Sequence, residues 1–481
     1  MKFFVNSELS HKTIASFFIL KIIAGIALWW VFTNYYTSGD FISYFDTGNV
    51  LYDIFWKDPK QFFKILVNEG FVPELADLNP RFEKIIYNDS RTMMFINFIY
   101  RFFSFGYFHV HTIFMCFLSL LGSIALFKTF IPYFKDKKNL LVIAIFFAPS
   151  VLFWTSGVMK EGVLFFGIGM LLYITKCGLE KNYTWIKIVG VVFFISLLLL
   201  IKFYVLIALL PGLILNIFVS RSSEKKILFK YFSILILLLI FAESFKLINP
   251  DFNLLKIIAD KQAKSISFAK GGVFLYNKKH FVCIDFDKKE TQLVQISFKN
   301  DTRHNQYRIK KGSSYLQWNQ NNMSDTTYIE QSVDTSLFSI DYMIKPANLV
   351  LQIKRLNPTY FSFLTAAPSA IFNVFAFPFI FQVKSVFQVI SALENLFIIL
   401  LLICAFIFLD KKIEHKAVLL FCTSFVLILF VLVGFTTPVI GSIVRYKTPA
   451  MPFLLMVILL LIDTKKLLNK FTSLSKLVFK N

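Results

Sequence analysis

The chain has 481 residues, of which 56% are hydrophobic and 61 are Phe, with a mean hydropathy of +0.64. With only 17% charged residues it has too little polar surface to cover a water-soluble globule. The net charge of +22 does not point to nucleic acid, because only eight of the 51 basic residues are Arg and the Lys fall in short clusters between apolar runs.

These properties predict an all-α polytopic membrane protein of about ten transmembrane helices, with a small mixed or β extracytoplasmic domain inserted. The first run, "TIASFFILKIIAGIALWWVF", is too long for a signal-peptide core and reads as a retained span. In chain order the spans are expected near 13–34, 109–130, 139–156, 159–176, 186–201, 203–219, 227–247, 388–409, 417–434 and 449–462. This arrangement puts one set of basic clusters on a single side: Lys2/Lys12, Lys135/Lys137/Lys138, Lys176/Lys181/Lys187, Arg221/Lys225/Lys226/Lys230, Lys411/Lys412/Lys416 and Lys465/Lys466/Lys470/Lys476/Lys480. By the positive-inside rule that side is cytoplasmic, and so are both termini. A full crossing at 361–382 would place the Lys411 cluster outside, and Pro368, Pro378, Gln382 and Lys384 interrupt it. That stretch is therefore expected to be interfacial or re-entrant.

The domain organisation expected is an N-terminal membrane module over 1–248 with a long outer loop at 35–108. An outer domain over 249–360 follows, with strand-like alternation in "FVCIDFDKKETQLVQISFK", and then the interfacial segment and last three spans over 361–481. The five Cys show no metal or disulfide spacing, and the two His of "YFHVHT" sit at a helix start, where a metal role is not expected. No internal repeat is evident, and the span centres read as nearly charge-free, which disfavours a transporter.

The outer ends of the spans collect the unusual side chains. Asp40, Asp46 and Asp53 follow the first span; Asp40 can start a helix, on which Asp46 and Asp53 would share a face. Lys160 and Glu161 lie between the third and fourth spans, Lys202 and Tyr204 between the fifth and sixth, and Arg445, Tyr446 and Lys447 before the last. Glu394 falls in the outer half of the eighth, while Arg91 and Arg101 lie late in the first loop. Each has a plain structural alternative. Asp40 can be a helix cap, Lys160–Glu161 a turn with a local ion pair, Lys202 a snorkelling side chain and Arg445 an interface anchor. Together they suit transfer of a sugar from a lipid-linked phosphate. A carboxylate (Asp40 or Asp46) takes the acceptor proton, fixed cations face the leaving phosphate, and Tyr44, Tyr52 and Trp56 offer rings to a sugar.

A first outer loop bearing Asp soon after span one, followed by many spans, resembles the GT-C superfamily of polyprenyl-phosphate-sugar-dependent glycosyltransferases. The segments "PSVLFWTSGVMKEG", "APSAIFNVFAFPF…SALENL" and "GSIVRYKTPAMPF" are similar to those of bacterial envelope membrane proteins placed near such transferases or polysaccharide polymerases. The resemblance implies an enzyme of the inner (plasma) membrane with a lipid-linked sugar donor and an envelope glycan or lipid acceptor. Within it, the loop Asp carries over to Asp40, with Asp46 the competing choice, and the late hairpin Arg to Arg445. The first loop lacks the adjacent acidic pair common in that superfamily, so the base and any divalent cation stay open. A polymerase moving whole lipid-linked oligosaccharides, and a lipid or polysaccharide flippase, are the alternatives.

Overall fold

A computed structural model describes residues 2–5, 8–36, 40–67, 89–220, 225–248, 253–276, 281–284, 292–295, 307–313, 315–319, 322–329, 337–383, 385–410 and 412–470. Arg221, Lys384, Lys411, Lys476 and Lys480 lie outside the described residues, as does part of the alternating stretch after Ile284.

In chain order, α1 (His11–Asn34) begins at Ser10, whose hydroxyl accepts from Thr13 N–H. It is followed by α2 (Asp40–Lys57), α3 (Asp89–Ser104) and α4 (Phe108–Phe130). A short helix, a π-turn and a break at Ala148 lead into α5 (Pro149–Trp154), a half-helix of six residues. Next come α6 (Lys160–Lys181), α7 (Trp185–Ser220), α8 (Ile227–Ile248) and α9 (Leu254–Lys270). Strands β1 (Gly272–Tyr276), β2 (Phe281–Ile284), β3 (Leu293–Gln295), β4 (Tyr307–Ile309), β5 (Tyr315–Asn319), β6 (Asn322–Ile329) and β7 (Leu337–Ile344) precede α10 (Tyr360–Ala376). The chain closes with α11 (Val386–Ile407), α12 (Lys416–Thr436), α13 (Ile440–Lys447) and α14 (Met451–Leu461).

Among the described residues, eight helices are long and apolar enough to cross a membrane, so the chain is a multi-pass helical membrane protein by length and composition. Three of the expected boundaries change. The stretch 139–156 is not one helix: Pro149 follows an extended residue, Ala148, and starts a new segment. The expected pair 186–201 and 203–219 lies within the single α7, broken only where Lys202 leaves helical backbone (φ −155°, ψ 88°). The last span gains α13 and runs Ile440–Leu461 instead of beginning at 449. At 17 residues, about 25 Å at 1.5 Å each, α10 is shorter than a crossing needs.

The chain forms two compact units. The first gathers Met1–Leu238, Pro378–Leu429 and Arg445–Asn481. Its centre is the crossing of α4 and α6, where a Cβ added to Gly169 would lie 2.1 Å from the Gly122 carbonyl oxygen. Backbones approach that closely only where side chains are absent. The first arm of α7 runs antiparallel to α6, with Gly167 against Leu198 and Gly190 against Ile174. The second arm places Gly212 against Phe421, whose ring meets Phe130 at the C-terminal end of α4. Both arms therefore reach the same end of the α4–α6 pair, and Lys202 sits at the apex of a V.

The second unit gathers Leu239–Phe377 and Phe430–Val444. Its sheet is antiparallel throughout, in the order β3-β4-β7-β1-β2-β5-β6. Val273 and Leu275, two apart on β1, join Val282, Ile284, Ile309, Tyr315 and Phe338 in one core. Phe274, on the opposite face, meets Phe268 of α9. Gln262 of α9 donates to the carbonyls of Lys354 and Phe435 and accepts from Leu356 N–H, which pins that helix to the chain around α10.

Candidate functional site

The site is built on Glu161, in the first turn of α6. Its carboxylate is fully buried, and Oε1 accepts from both Lys202 Nζ and Arg445 Nε, each at 2.9 Å. Among the described residues, Oε2 has no hydrogen-bond partner. Lys202 is delivered by the apex of α7, where the broken helix turns the side chain inward; Arg445 comes from the last turn of α13. Arg445 extends further, with Nη1 lying 3.6 Å from Asp40 Oδ2 at the start of α2. Lys202 also stands 4.0 Å from the Tyr446 ring centroid and 6.0 Å from that of Tyr204. Asp40, Glu161, Lys202, Tyr204, Arg445 and Tyr446 are thus drawn from four elements into one constellation.

Exposure differs sharply across it. The Asp40 side chain is 60% exposed, whereas Arg445 is 14% and Glu161 0% exposed. A carboxylate open to solvent stands next to a guanidinium that is itself held by a buried carboxylate. The buried carboxylate faces two cations, which leaves one positive charge at the core that the exposed Asp40 balances at its edge; an anion would meet the two cations there.

Two of the alternatives are corrected here. Lys202 does not snorkel; it is buried and ion-paired, because at the apex of the V the buried Glu161 is the nearest counter-charge. Lys160 and Glu161 do not pair with each other, since neighbours in the first turn of a helix point to different faces. Lys160 turns to Ser90 Oγ at 3.2 Å and stands 5.5 Å from the Tyr44 ring.

Asp46, the competing candidate of the sequence reading, is half-buried one turn and a half along α2, and burial raises its carboxyl above the ordinary 3.8. Its expected facemate Asp53 is exposed. Glu394 and Lys447 form a separate polar group. Glu394 accepts from Ser150 N–H (3.1 Å) and Ser150 Oγ (2.9 Å), and Lys447 Nζ donates to Asn395 Oδ1 at 2.7 Å. Arg101 stacks on Tyr52 at 4.7 Å, and Arg91 donates to the Ile65 carbonyl; both brace the loop helices. His111 is buried between Asn97 Oδ1 and Ser104 Oγ, which ties α4 to α3.

Ser150, Asn395, Ser90 and Lys21 were not singled out in the sequence. Ser150 and Asn395 are short polar residues inside apolar runs, and Ser90 stands among other polar residues, so none gives a local signal. Lys21 does carry one: it lies in the middle of the first span, contrary to the expectation that span centres are nearly charge-free. Among the described residues no group of three or more His, Cys, Asp or Glu is placed to hold a metal ion. Comparison of the chain with family models, curated proteins and solved structures finds no match.

Proposed function

We propose that the protein is a membrane glycosyltransferase that moves a sugar from a lipid-linked phosphate donor to an envelope glycan or lipid acceptor. The observation that carries the reading is the convergence of Asp40, Arg445, Glu161 and Lys202. In the proposed step the acceptor oxygen bonds to the anomeric carbon and its proton passes to Asp40. The bond from that carbon to the phosphate oxygen breaks, and the phosphate leaves with the electron pair. Arg445 and Lys202 face the departing charge, and Glu161 holds both cations in place beforehand.

The test is Asp40→Asn and Arg445→Ala in cells, scored by surface glycan profile at matched protein level, with Asp46→Asn beside them. Loss of product in the first two with Asp46→Asn active supports the reading. Unchanged glycans in both reject the assignments, and loss in Asp46→Asn alone moves the base to Asp46. A ladder of chain lengths in the wild-type product, lost in the variants, marks a polymerase within the same class.

A flippase is favoured by one observation, the buried Lys21 within α1. Reconstituted protein that moves a fluorescent lipid phosphate across vesicles, without forming any glycosidic bond, supports that reading over the transferase.

A further inference from the structure

Two buried charges outside the Glu161 constellation bracket one short element. At the start of α5, Glu394 accepts from the Ser150 amide and hydroxyl, satisfying donors that a helix start leaves open. At its end, Lys21 Nζ donates to Thr155 Oγ1 at 2.6 Å, and Thr155 Oγ1 donates in turn to the Val151 carbonyl at 2.7 Å. Lys21 is 2% exposed and Glu394 8%. The signs agree with the helix direction, an anion at the N-terminus and a cation at the C-terminus.

From α5 the chain runs through 155–159, all buried, directly into Lys160 and Glu161. Further contacts fix that loop from α1 and α4. A Cβ on Gly25 would lie 2.3 Å from the Ser156 carbonyl oxygen, and Cys116 Sγ donates to the same oxygen at 2.9 Å. Non-helical backbone at this depth persists only where protein groups satisfy it.

We infer that Lys21 and Glu394 are positioning residues, a clamp on the two ends of α5 that sets the 155–159 loop and through it Glu161. Lys21 reaches no proposed reacting atom; it acts on the constellation through Thr155. The effect on ligand binding rests on the functional reading above, whereas the clamp itself does not.

Cys116 is a native reporter of the loop, and Cys422, also fully buried, is a control elsewhere in the same unit. The full-length protein in detergent is labelled with N-ethylmaleimide and each thiol is read by mass spectrometry. Lys21→Met, Thr155→Val and Glu394→Leu are expected to speed labelling of Cys116 by about tenfold while Cys422 stays protected. Thr155→Ser keeps the acceptor and is expected to behave as wild type. Protection of Cys116 in all three variants, or equal exposure of both thiols, overturns the clamp.

Farnesyl phosphate binding supplies the second readout. Lys21→Met is expected to weaken it about fivefold, with no further loss in a Glu161→Gln background. Additive losses overturn the coupling to Glu161. Absence of binding to the wild type removes the functional reading, and the labelling result then decides the clamp by itself.

Discussion

Glu161 satisfies two cations with one oxygen, and this makes the three residues of the pair network unequal. Replacing Lys202 by Met leaves Glu161 with Arg445. Replacing Glu161 by Gln leaves both Lys202 and Arg445 facing a neutral amide in a buried setting. Removing one side of a buried pair typically costs about 3–5 kcal/mol because the other charge stays desolvated. Glu161→Gln is therefore expected to lower the thermal midpoint more than Lys202→Met in a detergent melting assay, and equal midpoints would contradict the shared-oxygen geometry. Asp46 gives a pH-dependent counterpart. Burial raises its folded value above the ordinary 3.8, so the protonated carboxyl is the form the fold prefers. Its contribution is fully present below 3.8 and is lost as pH rises through the raised folded value. Asp46→Asn is expected to flatten that part of a stability–pH curve, and a wild-type slope retained in the variant would show that another group titrates there.

At the scale of elements, the apolar runs and the charges at their ends were legible in the sequence, and so was the helix opening at Asp40. Partner choice was not. Lys202 and Glu161 are 41 residues apart and Arg445 is a further 284 from Glu161, separations across which no periodicity carries information. The broken course of 139–156 was hidden for a related reason: its apolar composition is that of a span, and only Pro149 marks the interruption. Glycine was the stronger unread signal. Gly122 and Gly169 allow α4 and α6 to touch backbone to backbone, whereas Gly441 has nothing within 4 Å of an added Cβ. Gly169→Ala is expected to destabilise the protein by about 1–3 kcal/mol, as overpacking does, while Gly441→Ala leaves the packing intact. Similar melting of the two variants would mean that the α4–α6 crossing relaxes without penalty.

At the scale of the first unit, α6 separates two kinds of charge. Glu161 and its cations stand at its N-terminal end; Lys176 and Lys181 stand at the other, about 30 Å away for a 22-residue helix. The lysines at that far end also make specific bonds. Lys176 donates to the carbonyls of Lys128 and Thr129, Lys187 to those of Cys177 and Asn182, and Lys137 to those of Leu459 and Ile462. Each supplies a cation where a helix ends with open carbonyls and a negative dipole. The same residues thus cap the spans and belong to the clusters that the positive-inside rule expects on the cytoplasmic side. Opposite-face accessibility follows. In sealed cells an impermeant maleimide is expected to label Asp53→Cys, on an exposed turn of α2, and to leave Lys181→Cys unlabelled until the membrane is opened. Each substitution is on an exposed side chain, so neither disturbs packing. Labelling of Lys181→Cys in sealed cells would invert the topology and place the Asp40–Arg445 constellation on the cytoplasmic side, where it would meet nucleotide sugars before lipid-linked ones.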